Sequence, residues 1–414
     1  MTTASTASTT DARPARARSR TLMYGPAFVA AIAYVDPGNF ATNFTGGSRF
    51  GYLLLWVIVA ANLMALLVQV LSAKLGLATG RDLAQMCRAR YRRPVVYGLW
   101  LQAELVAIAT DLAEVIGGAV ALNLLFGLPL PVGGLVTGAV AFLLLGLQTL
   151  GYRRFEVVIA GLLGVIVLGF LVDVLLAGVD LPGVASGLVP GFAGTDSVLL
   201  ATGILGATVM PHVIYLHSSL ISGRLREQET DRRSLLRSLR LDVFAGLGIA
   251  GLVNAAMLVI SAKLFHGPDT GVDSLETVHS GLSGQVGGVA ATAFALALLA
   301  SGFAASSVGT YAGQVVMSGF LRVRMSRTAR RAITLVPALA VLLAGVDPTT
   351  ALVWSQVVLS FGIPFALVPL VLITRDRTVM GSLVNRPITT VAASVVAALV
   401  IALNVFLLGG LILG

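Results

Sequence analysis

The chain has 414 residues, 57% of them hydrophobic and 11% charged, with a mean hydropathy of +0.92. So few charges cannot cover a water-facing surface, which excludes a soluble globular domain and makes the chain a polytopic membrane protein. The net charge of +9 then speaks to orientation in a bilayer rather than to nucleic acid, and the single Cys87 excludes an intrachain disulfide framework or a cysteine-based metal cluster.

Residues 1–21, rich in Ser, Thr, Ala and Arg and lacking the apolar core of a secretory signal, read as a disordered cytoplasmic tail. Apolar stretches follow at about 22–44, 53–77, 95–126, 130–150, 156–178, 198–222, 241–265, 285–320, 332–346, 350–374 and 388–413. Their lengths predict an all-α protein of eleven transmembrane helices. The connections alternate in charge: 26 of the 28 basic residues fall in 13–20, 74–93, 153–154, 224–240, 322–331 and 375–386, leaving Arg49 and Lys263 on the other side. The positive-inside rule places the N-terminus in the cytoplasm and, after an odd number of crossings of the cell membrane, the C-terminus outside. The outer segment Phe265 to Ser283 carries Asp269, Asp273, Glu276, His266 and His279 and reads as a solvated loop rather than a metal collector.

The first stretch is interrupted by Asp36-Pro37-Gly38-Asn39. A carboxylate near the bilayer midplane costs ~2.5–3.5 kcal/mol on insertion scales, so its default reading is function. Pro37 removes a backbone donor and Gly38 loosens the helix, leaving carbonyls just before them free to act as ligands. The sixth stretch repeats the anomaly with Ala207-Thr208-Val209-Met210-Pro211-His212. Two broken helices in corresponding places point to an inverted-repeat transporter, with one five-helix repeat at 22–178, a second at 198–374 and an additional helix at 388–414.

Between the two breaks Asp36 offers an anionic oxygen, Asn39 an amide oxygen, Met210 a thioether, and Ala33 and Ala207 freed carbonyls. Oxygen alone would suit Mg²⁺ or Ca²⁺, whereas a thioether adds affinity for softer ions such as Mn²⁺, Fe²⁺, Co²⁺ or Cd²⁺. Along the third helix, Glu104, Asp111 and Glu114 fall on one stripe. That stripe reads as a proton route, the alternative being an ion-pair cluster that holds helices together. His212 could relay a proton from the metal site or satisfy freed backbone groups, while His217, rotated away from it, is a weaker candidate. The GxxxG pattern from Gly309 to Gly313 reads as a close-packing device.

The paired Asp-Pro-Gly-Asn and Met-Pro-His motifs, in this order and over nearly the whole chain, resemble the Nramp family of divalent-metal transporters. The resemblance implies a LeuT-like 5+5 inverted repeat with helices 1 and 6 broken. It also implies metal held by Asp36, Asn39, Met210, Ala33 and Ala207, with Gln356 of helix ten joining in some conformations. Arg330 and Arg331 of helix nine would join the third-helix acids in a proton and salt-bridge network. The function so implied is proton-coupled import of Mn²⁺ or Fe²⁺, with no resident cofactor and with metal, protons and the bilayer as partners. The sequence fixes no oligomeric state, a monomer included. The rivals are a LeuT-like symporter of a small organic solute, a Mg²⁺ transporter of related fold and a passive channel. An enzyme is disfavoured, since neither HExxH nor GxSxG occurs.

Overall fold

A computed structural model describes residues 25–147, 151–224, 232–267, 274–323 and 326–413, and among these it is helical with no strand. The tail at 1–21, together with Asp269 and Asp273 of the outer segment, lies outside the described residues. The helices are α1 (Pro26–Ala33), α2 (Pro37–Phe50), α3 (Leu55–Thr79), α4 (Leu83–Arg90), α5 (Arg93–Phe126), α6 (Leu130–Gly146), α7 (Tyr152–Ala177), α8 (Leu181–Gly187) and α9 (Gly194–Thr208). They continue with α10 (Pro211–Arg224), α11 (Arg232–Phe265), α12 (Leu275–Gln285), α13 (Gly288–Leu321), α14 (Arg327–Leu343), α15 (Pro348–Thr374), α16 (Arg377–Met380) and α17 (Pro387–Leu413).

Among the described residues, eight helical runs are long and apolar enough to cross a bilayer on their own. The difference from eleven has a physical origin. The run Pro37–Thr79 joins the second half of the first stretch to the whole of the second through a 3-10 turn at Gly51–Leu54. The helices α6 and α14 have 17 residues each, and α14 carries Arg330 and Arg331 near its start. The sequence placed the seventh stretch from 241, but α11 begins at Arg232 because its first turns are helical although too basic to register as apolar.

Both predicted breaks are present. Helix α1 stops at Ala33 and α2 starts at Pro37, while α9 stops at Thr208 and α10 starts at Pro211. Asp36 is the N-cap of α2, accepting the Asn39 amide at 2.8 Å, and Pro37 occupies the first helical position, where its missing N–H costs nothing. The opposite end of α1 is capped from another helix, because Asp242 of α11 accepts the backbone N–H groups of Gly25 at 3.2 Å and Ala27 at 3.0 Å.

Half-helix α9 packs directly on α2 and on α15, and α11 lies along α1, α2 and α3. Helix α13 packs on α5 and α7 and closes the other side. Phe40 and Phe44 of α2 wedge between α7 and α13, with ring centroids 5.2 Å from Phe40 to Phe170 and 5.3 Å from Phe44 to Phe294. These edge-on contacts fix the half-helix that begins at Asp36. Large apolar side chains such as Leu168, Leu252 and Leu343 are exposed on the periphery, as lipid-facing residues should be.

Candidate metal site

The two breaks meet. Asp36, Asn39, Ala33, Ala207, Met210 and Gln356 are each no more than 1% exposed, so the site is sealed from both sides. The Asn39 side-chain amide donates to Asp36 Oδ1 at 2.8 Å and to the Ala207 carbonyl at 3.1 Å, tying the first break to the second. Gln356 Nε2 of α15 donates to Asp36 Oδ2 at 3.1 Å.

The backbone explains which carbonyls are available. In an unbroken helix Ala33 would accept from residue 37 and Ala207 from residue 211, and both are prolines without an N–H. The unwound carbonyls next to Ala33 are used elsewhere: Asn254 donates to Tyr34 O at 2.7 Å and Ser301 to Val35 O at 2.7 Å. Ala33 O has no hydrogen-bond donor among the described residues, and Ala207 O has the Asn39 amide. Two half-helices thus end in carbonyls beside a carboxylate, and the partial negative charge at a helix C-terminus favours a cation.

Asn39 Oδ1 and Gln356 Oε1 are buried without a donor. A cation needs acceptors and no donors, so these two orphaned oxygens, the Asp36 carboxylate, the Ala33 carbonyl and the Ala207 carbonyl now shared with the Asn39 amide are oxygens available to a dication, and Met210, fully buried in the second break, offers a soft atom. No group of three or more His, Cys, Asp or Glu side chains able to hold a metal occurs among the described residues. Whatever the site binds is held by one charge and several neutral dipoles.

One proline break rests on a glycine of the third helix. A Cβ at Gly117 of α5 would clash with the Pro37 ring, so only glycine lets α5 approach the start of α2 this closely.

The acid stripe divides. Arg330 pairs with Glu104 and Arg331 with Asp111, joining α14 to α5, and Ser306 Oγ also donates to Asp111 Oδ1 at 2.9 Å. For those two acids the ion-pair alternative describes the geometry. Glu114 is different: it is fully buried, neither carboxylate oxygen has a hydrogen-bond donor, and its charged neighbours include Asp111 and Asp36. The Gly309 to Gly313 pattern makes room for this network rather than for a second backbone. A Cβ at Gly309 would come within 2.6 Å of Glu114 Oε2, and one at Gly313 would overlap the Arg330 guanidinium.

His212 lies between the metal site and α5. Its Nδ1 is 3.3 Å from Thr110 Oγ1, whose own proton goes to Val106 O at 2.9 Å. The hydroxyl can thus give its proton to Val106 O and accept from Nδ1, while the other ring nitrogen, Nε2, is buried with no hydrogen-bond partner among the described residues. His217 is held apart from this site by Gln69 Oε1 at 2.8 Å, and Gln69 in turn donates to the Tyr34 hydroxyl at 2.5 Å.

Sequence reasoning missed Gln69, Asn254 and Asn43, which connect α2 and α3 to α10 and α11, and Asp173 of α7, fully buried with neither oxygen bonded. The signal was available, since each is an amide or acid inside an apolar span, which is the rule that singled out Asp36.

The chain matches a family model described as natural resistance-associated macrophage protein-like over residues 27–409. It is 52% identical over 392 residues to the divalent metal cation transporter MntH of Deinococcus radiodurans, covering 94% of this chain and 90% of that one. With the protein of the same description from Mycobacterium tuberculosis, strain H37Rv, it shares 54% identity over 390 residues, covering 93% and 91%. Among solved structures, a manganese transporter of Eremococcus coleocola in complex with an aromatic bis-isothiourea substituted compound superimposes with a TM-score of 0.81. The identity there is 33%, over 96% of this chain and 89% of that one.

Proposed function

The chain belongs to the Nramp family, and from that premise we propose that it imports Mn²⁺ and Fe²⁺, with Co²⁺ and Cd²⁺ as further substrates, by proton-coupled alternating access. It is a polytopic membrane transporter of LeuT-like fold for divalent metal. The observation that carries the finer reading is the junction of the two breaks, where the Asn39 amide bridges Asp36 and the Ala207 carbonyl.

In this reading Asp36 supplies the charge, Asn39 and Gln356 supply amide oxygens, Ala33 and Ala207 supply carbonyls, and Met210 supplies the soft ligand that disfavours Ca²⁺ and Mg²⁺. An arriving dication displaces any proton on Asp36, because a ligating carboxylate must be ionised. His212, through Thr110, and Glu114, beside Asp111, carry the proton onward. The Arg330–Glu104 and Arg331–Asp111 pairs hold α14 against α5 and bias Glu114 electrostatically.

The N-terminus is cytoplasmic and the C-terminus lies outside the cell membrane. The chain divides into repeats at 22–178 and 198–374 with 388–414 as an addition, and the bundle containing the broken helices one and six, one from each repeat, rocks against the remaining scaffold around the fixed site. The cycle uses no resident cofactor and no catalytic step.

The test is Mn²⁺ uptake into proteoliposomes under an imposed pH gradient with excess Ca²⁺ present. Accumulation driven by outside acid, resistant to Ca²⁺ and lost in a folded Asp36→Ala protein is the expected result. Full competition by Ca²⁺, or retention of about half the wild-type uptake by Asp36→Ala, rejects the assignment, since one full charge cannot be replaced by neutral dipoles. Absence of Mn²⁺ uptake alongside gradient-driven uptake of an organic solute would favour the symporter.

A further inference from the structure

At the end of the molecule where α3, the start of α11 and the 381–389 connection meet, a cavity of about 740 Å³ opens between the helices. Four cations line it, Lys74, Arg237, Arg240 and Arg386, and no acidic residue among the described ones does. Lys74 is buried, and among the described residues the Asn385 side-chain oxygen is its single hydrogen-bond partner. Asn385 is itself fixed by Thr374, through Oγ1 at 2.9 Å and the carbonyl at 3.1 Å.

Arg237 and Arg240, three residues apart, share one face of α11. Arg240 is near enough to Lys74 for the two charges to repel. None of Arg237, Arg240 and Arg386 forms an ion pair among the described residues. Like charges converging on a partly enclosed space are unfavourable by themselves and become favourable when an anion sits among them.

We propose that this pocket binds a phosphate group, which in the membrane belongs to the headgroup of an anionic phospholipid. The planar arginine forks match phosphate oxygens, and the buried ammonium of Lys74 supplies a fixed point charge. A volume near 740 Å³ is ample for a headgroup. Beside the cations stand Val70, Leu71 and Ile388, and Ile388 is 76% exposed at the start of α17, so an apolar surface suited to acyl chains continues from the rim. Basic pockets between spanning helices on the cytoplasmic side are a recurring form of headgroup recognition. A free phosphoester would satisfy the same donors. The transported metal would not, being repelled by every charge in the pocket.

A lipid bound here would join α3, α11 and the connection into α17, three elements that no metal ligand links. The site goes beyond the transport reading and does not depend on which ion is carried.

The experiment is native mass spectrometry of purified protein in micelles supplied with equal amounts of phosphatidylglycerol and phosphatidylcholine. Wild type should retain phosphatidylglycerol preferentially, and Arg237→Gln/Arg240→Gln should reduce that retention by about tenfold or more, as loss of charge-assisted hydrogen bonds predicts. Arg237→Lys/Arg240→Lys should recover part of it. Folding of each variant is checked by uptake in neutral-lipid vesicles, and the single variants Arg240→Gln and Arg386→Gln give stepwise losses if the double variant does not fold.

A second arm adds inorganic phosphate to lipid-free micelles and follows thermal unfolding. A shift in wild type that Arg237→Gln/Arg240→Gln lacks identifies free phosphate as another source of the same chemistry. Equal retention of the two lipids by wild type, or unchanged phosphatidylglycerol retention in the Gln variants, overturns the proposal.

Discussion

Met210 and Glu114 each stand out by chemistry rather than by position. Met210 is fully buried at the second break, immediately before Pro211 and three residues after Ala207. Removing its sulfur leaves the oxygen ligands intact. Met210→Ala should therefore lower uptake of Cd²⁺ more than of Mn²⁺ and relax discrimination against Ca²⁺ and Mg²⁺, measured by competition between these ions. An unaltered order of preference would mean that the oxygen cage alone discriminates. Glu114 is the acid of the stripe without a cation of its own, so Glu114→Gln should keep metal binding while reducing the accompanying proton flux, followed with a pH-sensitive dye inside liposomes. Glu104→Gln should behave differently. It leaves the Arg330 guanidinium, 1% exposed, without its partner, and breaking a buried pair costs about 3–5 kcal/mol, so that variant should lose thermal stability first. The sequence alone placed three acids on one stripe, but which of them is paired depends on how α14 packs on α5, and no periodicity contains that information.

The broken helices were legible because their causes are local. A proline four residues after an alanine frees that alanine's carbonyl wherever the chain goes, and Asp before Pro is a helix start in almost any setting. The spans were legible to within a few residues for the same reason, except at the start of α11, where basic helical turns leave the hydrocarbon, and at α6 and α14, whose 17 residues are short for a span. What could not be read was the contact between elements. Gly117 is one glycine among 46, and its need to be glycine exists only because Pro37 lies against it. Gly117→Ala puts a methyl into a ring that cannot rotate away, so α2 must shift together with Asp36. Uptake of Mn²⁺ should fall by about tenfold or more at limiting metal, with a raised KM, because misplacement of a positioned group by about 1 Å can cost a hundredfold. Normal kinetics in Gly117→Ala would show that α5 can move aside freely.

For the whole molecule, the alternation of basic connections is a statement about topology made by charge alone, and it depends on an odd number of crossings. An epitope at the C-terminus should be detected on intact spheroplasts, and one at the N-terminus only after permeabilisation; the same accessibility at both ends would require an even count. The sealed centre bears on turnover. A carrier that works in cycles must come back without its cargo, and an exposed or unpaired carboxylate would make that return leg slow. Here the Asn39 amide lies between Asp36 and the Ala207 carbonyl, and the Gln356 amide lies on the other carboxylate oxygen. These N–H groups give both oxygens of the Asp36 carboxylate fixed partners and tie three helices to one charge. In the transport cycle proposed above, a metal reaching Asp36 exchanges those amide partners around one carboxylate, and its departure lets the amides close on the charge again.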